Sequence, residues 1–401
     1  MSEIPLQHNM IVHENDLINS SRIEEYPFST VDENFISPAL RKKVNVTKPF
    51  LPPLEDYIQY IKRIWQSNQL TNNGQLVREL ESKLKDFLEV NHLFFVSNGT
   101  IALQLAIKAM NLRGEIITTP FSYVATTTSI IWEGCQPVFV DIDEKTLCLN
   151  PNLIEEAITP NTTAILATHV YGQSCDLDCI QKIADLHGLK VIYDGAHAFG
   201  SRLYGKNLLA NGDITVCSFH ATKLFHTVEG GCILVRDEEV AKTVSLMRSF
   251  GHIGEDDYYC VGINGKNSEF HAAMGLAILP KVESLIRRRK TLSEAYDREL
   301  NRGNLTFPQK SKDLEYNYAY YPVIFQSETQ LLGIREVLNR NNIYPRRYFY
   351  PSLNQLPYCW GKSCPVSENI SRRVLCLPLY PEMDESMIKT IARIILRKMD
   401  I

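Results

Sequence analysis

The chain has 401 residues, 44% of them hydrophobic, enough to bury a large core and to divide into two or three domains. Lys and Arg number 42 against 46 Asp and Glu, a formal net charge of -4, and no basic run is long enough to track a phosphate backbone, which argues against polyanion binding. No stretch reaches the roughly 18–20 apolar residues of a membrane span, and the N-terminus lacks the apolar core of a signal peptide. The ten cysteines are scattered, and the closest pairs lack a metal-knuckle partner, so reduced thiols in a cytoplasmic protein without a metal site are expected.

Residues 1 to about 45 are polar and weakly periodic, ending in Arg41-Lys42-Lys43, and read as an extension, either disordered or an arm on a partner subunit. Pro52-Pro53 precede a helical pattern of Tyr57, Ile58, Ile61, Ile64 and Trp65, and a second helix falls around 76–88. From Leu93 short apolar runs at 93–96, 115–117, 137–140, 164–167 and 191–193 alternate with helical stretches. That alternation predicts an α/β fold with a mostly parallel sheet covered by helices on both faces. Further strands fit 214–219 and 231–235, the latter expected to run antiparallel. After about residue 255 a long helical region, 272–300, leads to strands and helices at 316–325, 374–379 and 386–397, a smaller C-terminal α/β domain. The expected divisions are an extension at 1–45, a large domain at 46–255, and the helical connection with the small domain at 256–401. Arg287-Arg288-Arg289-Lys290, the densest basic cluster, lies in a helical pattern and reads as a solvated helix face.

Four segments carry chemistry. Ser97-Asn98-Gly99-Thr100 joins a strand to a helix; it is either a turn with an N-cap or a place where free N–H groups and the positive helix end meet a phosphate. Thr119-Pro120-Phe121-Ser122-Tyr123-Val124-Ala125-Thr126 leads from a strand end into a helix, with Tyr123 either packed in the core or stacked on an aromatic ring. Val191-Ile192-Tyr193-Asp194-Gly195-Ala196-His197 delivers Asp194 at the C-terminal end of a buried-type strand, where α/β sheets bind ligands. Asp194 is either a cap or the partner of a protonated ring nitrogen, and His197 by itself reads as a core or interface histidine. Ser218-Phe219-His220-Ala221-Thr222-Lys223 places one lysine after a strand and before Gly230-Gly231. Such a lysine, desolvated, offers a neutral amine for imine formation, and Ser218 offers a hydroxyl to a phosphate.

In this order and spacing these segments resemble the DegT/StrS-type sugar aminotransferases, a branch of the fold-type I pyridoxal-5′-phosphate (PLP) enzymes. Pro137-Val138-Phe139-Val140-Asp141, His169-Val170-Tyr171-Gly172, Glu229-Gly230-Gly231 and Gly262-Ile263-Asn264-Gly265-Lys266 carry the resemblance further, from about Val44 to the C-terminus. It implies Lys223 as the Schiff-base and proton-transfer residue and Asp194 on the pyridine nitrogen. Gly99, Thr100 and Ser218 would hold the phosphate, and Tyr123 would stack on the ring. His197 stands where the family often has Gln near the cofactor's 3-hydroxyl. Either Asn264 or Lys266 would reach the partner subunit's phosphate across the interface of a homodimer. The implied donor is L-glutamate and the implied acceptor a keto sugar on a nucleotide, leaning to C-4 of dTDP-4-keto-6-deoxyglucose for surface polysaccharide such as lipopolysaccharide O-antigen. C-3 amination of a dTDP-3-keto sugar, a UDP sugar, PLP-dependent sugar dehydration and a non-catalytic binding protein are the alternatives. Family members acting as dehydratases carry His at the lysine position, so Lys223 favours transamination. Arg346-Arg347-Tyr348-Phe349-Tyr350 is either a contributor to the substrate side or an ordinary connection.

Overall fold

Seven apolar runs become the strands of one sheet: β1 (His92–Val96), β2 (Glu115–Thr118), β3 (Gln136–Phe139), β4 (Thr162–Thr168), β5 (Lys190–Asp194), β6 (Ile214–Ser218) and β7 (Gly231–Val235). The computed structural model describes residues 42–359 and 361–399. The strands lie in the order β1-β7-β6-β5-β4-β2-β3. All pairings are parallel except those of β7, which runs antiparallel to β1 and β6, as its sequence position suggested.

Neighbouring residues of each strand enter opposite cores. In β7, Ile233 and Val235 pack with Ala102 and Ala106, while Cys232 and Leu234 pack with Leu80 and Phe219. Burial on both faces is the reason these strands read as continuous apolar runs. Pro137 is tolerated because β3 lies at the sheet edge.

Helices α1 (Leu54–Ser67), α2 (Gln75–Leu88), α3 (Gly99–Ala109) and α4 (Val124–Trp132) belong to the first half of the chain. The Asn98 side chain caps α3 by accepting from the Ile101 N–H at 2.9 Å. Gly74 gives α2 no side-chain cap. Instead the buried carboxylate of Glu269, at the start of α5 (Glu269–Ile278), accepts from the N–H groups of Leu76 at 2.7 Å and Val77 at 2.9 Å. A Cβ at position 74 would meet that carboxylate at 2.5 Å, so the close approach requires glycine.

Farther along, α6 (Val282–Leu300) packs with the helices Glu328–Arg340 and Glu385–Lys398 around an antiparallel pair, Tyr321–Ile324 with Val374–Leu377. Val44–Asn45 pairs in parallel with Ile343–Tyr344, so the end of the expected extension is a strand in this C-terminal core; residues 1–41 lie outside the described residues.

The solvated face expected at 287–290 holds for Arg287, Arg288 and Lys290, which are exposed, and needs correction at Arg289. Arg289 is only 3% exposed, and its Nη1 donates to the carbonyls of Ala319 and Leu379 at 3.1 and 2.9 Å. Arg288 donates to the carbonyls of Pro381 and Met383. Helix α6 turns these two arginines towards chain segments beside the small antiparallel pair, whose carbonyls have no ladder partner there. All ten cysteines are free, and no helix among the described residues is long and apolar enough to cross a membrane.

Candidate active site

The loops that follow β1, β2, β4, β5 and β6 leave the same edge of the sheet, because these strands are mutually aligned. Four of these loops carry residues singled out in the sequence. Asp194 closes β5, Ser218 closes β6 with Lys223 in the turn beyond it, Gly99 and Thr100 open α3, and Tyr123 stands at the N-cap of α4.

Asp194 is 5% exposed and hydrogen-bonded through both carboxylate oxygens. The Thr126 hydroxyl donates to Oδ2 at 2.7 Å and the Ala196 N–H to Oδ1 at 3.0 Å. Burial raises its pKa above the ordinary aspartate value, opposed by those two donors and by the Lys223 cation. For Lys223 the largest influence is also desolvation, which lowers the ammonium's pKa, while Asp194 raises it. Each charge thus acts on the other at the same end of the sheet, and Ala196 and His197, which follow Asp194, line a small cavity with Lys223.

His197 is buried beside them. Its Nδ1 accepts from the Tyr171 N–H at 3.2 Å, which leaves the proton of the neutral ring on Nε2. Its ring stacks on Phe349 at 5.4 Å and meets Tyr320 edge-on at 4.9 Å, and burial pushes its pKa well down. Asn317 pins the same turn by donating to the carbonyls of His197 and Phe199 at 2.7 and 3.0 Å. Tyr123 is 57% exposed, so it is not a core residue, and its hydroxyl is close enough to act electrostatically on Lys223.

Gly99 lies against Ser218: a Cβ added there would sit 3.1 Å from the Ser218 Cβ. The first N–H groups of α3 have no acceptor within their helix and point from its positive end, so Gly99, Thr100 and Ser218 form a cradle suited to a phosphate. With a carboxylate for a ring nitrogen and an amine for an aldehyde nearby, the donor set fits PLP. A cavity of about 410 Å³ adjoins Thr222, lined also by Lys43, Arg346 and Tyr348 and by no acidic residue. Another, of about 430 Å³, lies beyond Tyr171 and Tyr320 and contains neither Lys223 nor Asp194.

Asn264 and Lys266 are not brought into the Lys223 pocket of their own chain. Asn264 is exposed and bridges Ser249 through its backbone, while Lys266 places Nζ 4.5 Å from the centre of the Phe250 ring. Their loop borders α3, since the Ser97 N–H donates to the Gly265 carbonyl at 2.9 Å. Thr126, Ser122, Thr168 and Asn317 were not singled out from sequence. The four-residue spacing of Ser122 and Thr126 before an apolar helix was the available signal; nothing local marks Thr168 or Asn317.

Residues 54–396 match the model of the DegT/DnrJ/EryC1/StrS aminotransferase family. The chain belongs to that family. It is 41% identical to a dTDP-4-amino-4,6-dideoxy-D-glucose transaminase of Shigella dysenteriae, over 88% of this chain and 98% of the relative. Among solved structures, DesI in the presence of its TDP-sugar product superposes with a TM-score of 0.85 at 31% identity, over 89% of this chain and 93% of that one. NtdA of Bacillus subtilis, with bound cofactor PMP, superposes with a TM-score of 0.79 at 26% identity, over 87% and 82%. Membership in the DegT/DnrJ/EryC1/StrS family brings activity and cofactor with it: the protein is a PLP-dependent sugar aminotransferase.

Proposed function

We propose that this aminotransferase works in the cytoplasm, transferring an amino group from L-glutamate to C-4 of dTDP-4-keto-6-deoxyglucose for surface polysaccharide biosynthesis. The observation that supports the catalytic part is that Asp194 stands at the end of one strand and Lys223 just beyond the end of its parallel neighbour, close enough for each to perturb the other's proton affinity. The Shigella transaminase supports the sugar and the position. When bound, PLP supplies the electron sink for moving an amino group between carbon skeletons.

Lys223 would hold the cofactor through its neutral amine, the aldehyde oxygen leaving as water, and once released would carry a proton on Nζ to and from the substrate carbon. Asp194 would hold the ring nitrogen in its protonated form. The N–H groups of Gly99 and Thr100 and the hydroxyl of Ser218 would hold the phosphate, Tyr123 would stack on the ring, and His197 would offer Nε2–H to the 3-hydroxyl. Asn264 or Lys266 from a second copy completes the phosphate site, so the working unit is a homodimer. Lys43 and Arg346, in the cavity beside Thr222, suit the diphosphate of the nucleotide sugar. In this reading residues 46–255 make up the large domain and 256–401 the long helical connection with the smaller C-terminal domain.

The test is to incubate purified protein with PLP, L-glutamate and a panel of 4-keto and 3-keto sugars on dTDP and UDP, then to weigh the products. An amino sugar at C-4 of the dTDP compound is expected. Amination confined to a 3-keto or UDP sugar would overturn the substrate, and water loss without amination would overturn the reaction.

A further inference from the structure

Asp194 is not held by one neighbour but stands at the end of a row of buried hydroxyls. Thr168 Oγ1 donates to Ser122 Oγ at 3.0 Å, Ser122 and Thr126 share a 2.7 Å hydrogen bond, and Thr126 Oγ1 donates to Asp194 Oδ2 at 2.7 Å. Ser122, Thr126 and Thr168 are each 2% exposed or less. The row draws on three elements, the turn and first residues of α4, the end of β4 and the end of β5, where Thr168 and Asp194 are register partners.

The direction of the row follows from counting hydrogens. A hydroxyl donates only one. Thr168 gives its hydrogen to Ser122, Ser122 therefore gives its own to Thr126, and Thr126 gives its own to Asp194. The reverse order would begin with a protonated Asp194 donating to Thr126, and would leave the Thr168 hydrogen without an acceptor inside the protein. No other side-chain or backbone acceptor for Thr168 Oγ1 occurs among the described residues. A buried donor left unmade in this way is costly. In the fully satisfied arrangement Asp194 accepts at Oδ2 from Thr126 and at Oδ1 from the Ala196 N–H, so a proton on either oxygen would find no acceptor in the row, and the ionised carboxylate is favoured.

We propose that Thr126, oriented by Ser122 and Thr168, is a positioning residue that keeps Asp194 a carboxylate so that it can pair with the protonated ring nitrogen of PLP. This deepens the functional reading and rests on its placement of Asp194. The row opposes desolvation, which favours the neutral acid. The other titratable groups around Asp194 cannot take over this duty. Cys217 on β6 is pushed up to about 12 and His169 after β4 down to about 3, so both are neutral at physiological pH. Lys223 acts on Asp194 as a cation, but its nitrogen is the one that would hold the cofactor and carry protons, so it is not a fixed charge for Asp194 to rely on.

The experiment is PLP binding and the pH titration of the bound cofactor's visible absorption, in wild type, Thr126→Val, Thr126→Ser and Ser122→Ala. Removing the hydroxyl from Thr126 should weaken PLP binding roughly tenfold, the scale of one charge-assisted hydrogen bond, and shift the absorption titration. Thr126→Ser should restore both, and Ser122→Ala should give a smaller change in the same direction. Thr126→Val with wild-type affinity and titration overturns the proposal, as does failure of Ser to restore what Val loses. Should the Val variant not fold, an Ser122→Ala protein identical to wild type in both measurements also overturns it. Wild type that takes up no PLP would instead sink the functional reading itself.

Discussion

Arg289 and Lys223 are both cations set into the protein, one in the C-terminal core and one at the edge of the large sheet, and the protein finishes them differently. Arg289 donates to two backbone carbonyls, and burial lowers its pKa only to about 10, so it stays charged and its hydrogen bonds are met. Lys223 has no hydrogen bond to its Nζ among the described residues; desolvation drives it towards the neutral amine, opposed chiefly by Asp194. A buried charge with its donors satisfied is architecture, whereas one left unsatisfied beside a carboxylate is poised for chemistry.

Substitution separates the two roles. Lys223→Ala should lower turnover by at least roughly 10²–10⁴-fold, the scale of a lost proton-transfer group, with little change in the midpoint of urea unfolding. An active Lys223→Ala protein would erase the contrast. Asp194→Asn should reduce the rate almost as far and weaken PLP binding, read by absorbance titration, because the amide cannot hold a proton on the ring nitrogen. Arg289→Met should do the opposite: cost about 3 kcal/mol in denaturant unfolding, from two carbonyls left without charged donors, while kcat at low temperature is retained. Gly99→Ala, which needs a shift of a few tenths of an ångström against Ser218, should weaken PLP binding by roughly fivefold.

The contrast also has a sign in pH. Because the folded-state pKa of Lys223 lies below 10.5, its favourable contribution to folding is complete above 10.5 and is lost as pH falls through the folded value. Lys223→Met should therefore exceed wild type in unfolding free energy most at neutral pH, with the gap closing as pH rises towards 10.5. A gap that widened with pH would reverse the assignment of desolvation as the dominant influence.

The sheet was legible because burial on both faces writes itself as apolar runs, whereas the antiparallel direction of β7, though expected, is not fixed by its run and is set by its pairing with β1 and β6. Lys223 and Asp194 were legible because each follows such a run within a few residues. Arg289 was not: the helical pattern locates the arginine but says nothing of the carbonyls of Ala319 and Leu379, 30 and 90 residues away. Glu269 was equally hidden, since it caps a helix 193 residues earlier. The hydroxyls behind Asp194 come from segments joined only by tertiary folding, and a serine or threonine in a strand or first helical turn carries no mark of its partner.

Thr168 and Asp194 stand opposite each other because β4 and β5 pair in one particular alignment. Side chains along a strand alternate between faces, so sliding either strand by a single residue would turn one of the pair through to the far side of the sheet. On the proposed reading, the protonation of the cofactor's ring is thereby tied to strand register, and the same slip that exchanged the residues of the two cores would also leave that ring without its charge partner.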